Sequence, residues 1–169
     1  YTEVGWPISQ ADGGKYPTKG NDVPAMMQAA CVCRLYALAQ RLGVERVDIM
    51  FATDTDHFNG GFFAPDGKWR PSAFAVQNMI RLMPAPKLEG AIVDGTDGTF
   101  AYRFAPSEKA DDKPVVMAWN VMGAKTVEIP VKSDAVEVVD MLGHSQKVKV
   151  NGGKVSVETG PYPVYVREE

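Results

Sequence analysis

The chain has 169 residues, 18 Lys+Arg against 21 Asp+Glu, and a formal net charge of −3. With 45% hydrophobic and 23% charged residues, its composition excludes a disordered tail, a collagen-like chain and a membrane span. The mild negative charge gives no electrostatic reason to bind nucleic acid or an anionic membrane.

The chain opens on Tyr1-Thr2-Glu3-Val4-Gly5-Trp6-Pro7, without an initiator Met or an apolar leader, and reads as an internal piece of a longer polypeptide. Residues 8–22 are polar and rich in Gly and Pro, which predicts a loop. Asn21 or Asp22 can cap the helix that follows, and Pro24 suits its first turn. From Ala25 to Leu42, apolar Met27, Ala30, Cys31, Leu35, Leu38 and Leu42 recur at three- and four-residue steps, the spacing of an amphipathic helix. Gly43 stands where a left-handed C-cap is needed. Cys31 and Cys33 would point about 200° apart on this helix, so they read as free buried thiols rather than a bridge or a metal pair. They leave the compartment open.

Val47–Ala52 is a short apolar run after a tight turn, the pattern of a buried parallel strand. A polar loop, Thr53 to Gly61, follows. Pro71 to Met83 predicts a second helix with Phe74, Met79, Ile80 and Met83 facing the core, stopped by Pro84 and Pro86. After Pro86 the texture changes to short β-rich runs separated by turns: 99–104, 115–120, 126–131, 136–142, 147–150, 154–158 and 164–166. Gly152-Gly153 reads as a hairpin turn between two of them, and the spacing suggests an antiparallel sandwich. The predicted division is therefore residues 1–86, two β/α units, and residues 87–169, all β, with the boundary near 84–90. Two β/α units cannot by themselves close a sheet or cover both its faces.

Glu3 is the sharpest candidate for chemistry. It stands at the end of an expected strand beside Gly5 and Trp6. A carboxylate at the C-terminal end of a barrel strand is where β/α-barrel enzymes place catalysis, and an indole offers a stacking platform for a sugar ring. In a retaining glycosidase one carboxylate attacks the anomeric carbon while a second, about 5–5.5 Å away, protonates the leaving oxygen. Asp54, Asp56 and His57 form a polar cluster past the next strand; they read either as hydrogen-bond partners of sugar hydroxyls or as a capped, solvated loop. One His and two Asp at this spacing do not make a metal site. His144 reads as a turn residue, and Trp69 and Trp119 as packing residues.

Thr2-Glu3-Val4-Gly5-Trp6-Pro7 resembles the seventh-strand motif of clan A glycoside hydrolases, in families such as 5 and 39. Residues 30–39 and 43–51 resemble the seventh helix and eighth strand, and Gly60-Gly61-Phe62-Phe63 with 66–74 resembles the approach to the eighth helix. Residues 138–143 and 161–166 resemble the accessory β-sandwich of such enzymes. The resemblance implies the last two β/α units of a (β/α)8 barrel followed by an antiparallel β-sandwich. It also implies an oligo- or polysaccharide or other glycoside as substrate and no cofactor. Glu3 would be the nucleophile, and Trp6, Phe51, Asp54 and His57 would bind substrate. Two departures stand out. No Asn-Glu pair, which carries the acid/base in the family, occurs in this chain, so the missing N-terminal part of the polypeptide becomes an expected partner. The family's Trp near the end of the eighth strand is also absent; either Phe51 takes its place as a platform or substrate binding differs from the family's. Two other readings are a non-catalytic carbohydrate-binding or structural sandwich with a barrel remnant, and a barrel that has lost its activity. An exposed aromatic row drawn from Tyr102, Trp119, Tyr162 and Tyr165 would favour the sandwich module.

Overall fold

The computed structural model describes residues 4–14, 22–49, 52–55, 58–106 and 113–169. It is a mixed α/β structure with two α-helices and mostly antiparallel sheet, and it divides into two compact units, Tyr1–Gln77 and Asn78–Glu169.

In the first unit, α1 (Ala25–Arg41) begins at Pro24, which occupies the N-cap with φ −56° and ψ 145°. Pro lacks the N–H that this end would leave unpaired. Pro24 itself makes no side-chain cap hydrogen bond, and Asn21, one of the two suggested caps, lies outside the described residues. The far end closes as the sequence predicts. Gly43 is left-handed at φ 68°. Its N–H donates to the Gln40 carbonyl and the Val44 N–H to the Ala39 carbonyl, a complete Schellman motif.

The buried face of α1 differs from the predicted stripe. Of the predicted stripe only Ala30 is buried, together with Ala25, Gln28, Ala29, Val32 and Cys33, whereas Met27, Cys31, Leu35 and Leu38 are half-buried and Leu42 is 75% exposed. The helix is apolar on two sides, and its small residues take the inner one because they let the backbone approach its neighbours closely. Both cysteines are free; Cys33 is buried and Cys31 only partly so.

Of the buried parallel strand expected over Val47–Ala52, the described residues show a single parallel bridge, Val4 with Ile49, and Val47 and Ile49 are only half-buried. Among the described residues the run from Val47 makes no continuous strand. α2 (Pro71–Leu82) buries Ser72, Ala73, Ala75, Met79 and Leu82. Phe74 and Ile80, expected in the core, are exposed instead. Phe74 packs on Trp69, ring centroids 5.3 Å apart, and Trp69 meets Phe63 edge-on at 5.6 Å.

The described residues of the second unit form eight strands: β1 (Lys87–Asp94), β2 (Thr99–Ala105), β3 (Val115–Asn120), β4 (Lys125–Pro130), β5 (Ala135–Val139), β6 (Ser145–Lys149), β7 (Lys154–Thr159) and β8 (Val164–Glu168). They form an antiparallel six-stranded sheet ordered β1-β2-β3-β8-β5-β6 and a two-stranded sheet, β4-β7. Ala101, Val116, Ala118, Val136 and Val166 of the larger sheet share one core with Val127, Ile129, Val155 and Val157 of the smaller. β3 is buried at every position, so both faces of the larger sheet are covered there. Tyr102, Trp119 and Tyr165 lie in that interior, with Trp119 stacked on Phe100 at 5.0 Å. Only Tyr162 of the four suggested aromatics is exposed, at 42%, so these four make no exposed row. Arg103 of β2 donates to Glu168 of β8 at 2.7 Å and to the Pro130 carbonyl of β4, tying the two sheets at their rim.

Two sequence expectations change here. β1 is not signalled by the sequence pattern, because Gly90 interrupts the run and register shifts at Leu88/Gly90 and Ala91/Val93 break its alternation. Gly152 and Gly153 do form a tight turn, with φ 58° and 73°. A single antiparallel bridge, Asn151 with Lys154, closes this hairpin turn, but the pairing goes no further: β6 pairs with β5, and β7 pairs with β4 in the other sheet.

Candidate functional site

Two loops of the first unit follow the bridged residues Val4 and Ile49. The first runs from Gly5 to Gly14 and carries Trp6; the second runs through Thr53–Gly61 and carries Asp54. Glu3, Phe51 and His57 lie outside the described residues. Trp6 is half-buried.

The loops are joined by direct and side-chain-mediated contacts. The Ile8 N–H donates to the Asn59 carbonyl at 3.2 Å. The Phe58 ring packs where Cβ atoms would stand on Gly5 and on Gly60, so any larger residue at either glycine would displace the ring. Gly61 is held more strictly, because a Cβ there would meet the backbone of Thr53.

The Asp54 side chain is fully buried, although the residue's backbone is not. Its Oδ1 accepts from Arg70 Nη1 at 2.5 Å and its Oδ2 from Arg70 Nη2 at 2.7 Å, and the Gly61 N–H donates to Oδ1 at 3.2 Å. This two-pronged geometry matches a planar guanidinium to a carboxylate. With no exposed surface, the carboxylate offers nothing to a sugar hydroxyl; its observed partners make it a scaffold for the loop. Arg70 also donates to the Gly61 carbonyl at 3.0 Å and to the Gly13 carbonyl at 2.9 Å, so its guanidinium touches both loops.

Gln28 of α1 is the second hub. Its Nε2 donates to the Trp6 carbonyl at 3.1 Å and to the Gly60 carbonyl at 2.8 Å, with the residue 1% exposed. Its Oε1 has no hydrogen-bond partner. An unpaired buried acceptor costs about 1–3 kcal/mol, so the residue is better suited to delivering its two N–H groups than to filling volume.

Sequence reasoning missed Gln28, Phe58 and Arg70. A signal for Gln28 was present: a polar residue on the Ala25–Ala29–Val32 face of α1 needs partners there. Arg70 follows the Gly60-Gly61 pair and precedes Pro71, but nothing local links it to Asp54, 16 residues earlier. Among the described residues no three His, Cys, Asp or Glu side chains come together to hold a metal.

No family model matches the chain, and no curated protein matches it in sequence. Solved structures do match in fold. A family 39 glycoside hydrolase from Bacteroides cellulosilyticus WH2 superposes over 99% of the chain with a TM-score of 0.70 at 20% identity. The catalytic domain of the GH30 xylanase C of Talaromyces cellulolyticus superposes over 98% with a TM-score of 0.53 at 16% identity. The chain spans 33% of the first structure and 39% of the second. At these identities the likeness shows a fold: a mixed α/β arrangement related to those of glycoside hydrolases.

Proposed function

We propose that the chain is the C-terminal portion of a retaining glycoside hydrolase. Residues 1–86 would supply the last two β/α units of its barrel and residues 87–169 an accessory β-sandwich. The observation that carries this reading is the fold likeness to a family 39 enzyme over 99% of the chain, reached independently of the Thr2-Glu3-Val4-Gly5-Trp6-Pro7 motif.

In the mechanism, the Glu3 carboxylate attacks C1 of the sugar as the C1–O bond to the leaving group breaks. The leaving oxygen takes its proton from an acid supplied by the rest of the polypeptide. Water, deprotonated by that same residue, then attacks C1 and releases Glu3. Trp6 supplies a stacking surface, and Phe51 and His57 complete the sugar contacts. Asp54 serves by holding the second loop through Arg70. No metal or cofactor enters these steps, and the partners are a glycoside substrate and the remaining barrel.

The test is Glu3→Gln in the longer polypeptide. Turnover of an aryl glycoside should fall by a factor on the order of 10⁴ or more; an unchanged rate removes Glu3 from the role. The reading as a carbohydrate-binding sandwich gains no support, because Tyr102, Trp119 and Tyr165 are interior.

A further inference from the structure

We propose that Gln28, backed by Arg70, is a positioning residue that sets where Trp6 stands relative to the second loop. The inference rests on the glycosidase reading only for what Trp6 touches; the clamp itself rests on geometry. Gln28 Nε2 reaches both loops, at the Trp6 carbonyl (3.1 Å) and the Gly60 carbonyl (2.8 Å). Arg70 reaches both again, at the Gly13 carbonyl (2.9 Å) and the Gly61 carbonyl (3.0 Å). The two hubs therefore grip successive carbonyls of one loop and opposite ends of the other. Each hub is buried, Gln28 at 1% and Arg70 at 4% exposure, and their bonds to the Gly60 and Gly61 carbonyls are buried as well.

A side chain that donates from a single nitrogen to two carbonyls fixes their separation to a few tenths of an ångström. Trp6 cannot shift along its loop without breaking one of those bonds. Gln28 is anchored on α1, a 17-residue helix closed by a Schellman turn, so the reference point is rigid. Arg70 is anchored one residue before α2. Neither side chain is assigned a contact with substrate; both act through the backbone they hold.

The test uses two variants that keep bulk and charge. Gln28→Met fills the same volume without a donor. Arg70→Lys keeps a cation beside Asp54 but cannot span Gly13 and Gly61 together. In the 169-residue chain, indole N–H resonances report each tryptophan, with that of Trp6 assigned by its loss in Trp6→Phe. Gln28→Met is expected to shift the Trp6 indole and Gly60 amide peaks while those of Trp119 and the β-sheet amides stay in place. Arg70→Lys should move the Gly13 and Gly61 amides. In the longer polypeptide, Gln28→Met should raise KM roughly tenfold with kcat within about threefold. An unmoved Trp6 peak, or a uniform change across Trp119 and the β-sheet, overturns the proposal, as does a loss confined to kcat. If the longer polypeptide with Gln28 intact cleaves no glycoside, the glycosidase reading fails, and the indole and amide shifts still decide the clamp.

Discussion

Arg70 and Asp54 form a buried, two-pronged ion pair, with nitrogen–oxygen distances of 2.5 and 2.7 Å and side chains 5% and 0% exposed. The pair joins the residue leading into α2 to a loop 16 positions earlier. Removing one partner strands a charge. Arg70→Met is expected to lower stability by about 3–5 kcal/mol, read from chemical unfolding. Combining it with Asp54→Asn should recover part of that loss, because the stranded carboxylate becomes a neutral amide. Additive losses in the double variant would contradict the pairing.

Glycines at 61 and 90 are expected to respond oppositely to alanine. A Cβ at Gly61 meets the Thr53 backbone, which cannot rotate away, whereas one at Gly90 has nothing within 4 Å and no left-handed φ. Gly61→Ala should cost about 1–3 kcal/mol. Gly90→Ala should stabilise by about 0.4–1 kcal/mol by restricting the unfolded chain. Melting curves of the two variants side by side decide it.

The two sides of α1 allow a similar contrast. Leu42 is 75% exposed, and Ala29 is fully buried. Leu42→Gln should change stability by less than about 0.5 kcal/mol, while Ala29→Leu should overpack the interior and cost about 1–3 kcal/mol. The reverse ranking would restore the large-residue stripe as the core face.

Acid should weaken the second unit through Asp140. Burial pushes this carboxyl's pKa up, but hydrogen bonds from the His144 ring and from the backbone N–H groups of His144 and Leu142 outweigh that and hold it below the ordinary value. A carboxyl with a depressed folded pKa stabilises above its unfolded pKa, and that contribution is lost as pH falls through the folded one. Melting temperature should therefore drop below about pH 4, with a flatter acid limb in Asp140→Asn. Identical acid limbs would show that the turn contributes nothing.

Local grammar made much of the fold legible. Pro24 and Gly43 marked the ends of α1, Pro71 opened α2, and alternating valines gave the strands of the second unit. What stayed hidden depends on contacts between distant residues. Large side chains at Leu35, Leu38 and Leu42 outweighed the alanines that α1 buries, because the pattern registers hydrophobicity and not how closely two backbones approach. Gly152-Gly153 announced a turn without revealing that the chain crosses to the other sheet there. In the candidate site, Trp6 and Asp54 were singled out by residue type alone; the partners of Asp54 at Arg70 and of the Trp6 carbonyl at Gln28 come from distant positions. The Asp54–Arg70 link leaves no local trace, and Gln28 shows only as a polar residue on the buried face of α1, with nothing nearby in sequence to name its partners.

The most direct measurement is covalent trapping of the longer polypeptide with a 2-deoxy-2-fluoroglycoside, followed by mass spectrometry of its peptides. One added fluoroglycosyl group is expected on the peptide containing Glu3, and none in Glu3→Gln. A label on a different carboxylate, with turnover retained in Glu3→Gln, would contradict the role proposed for Glu3.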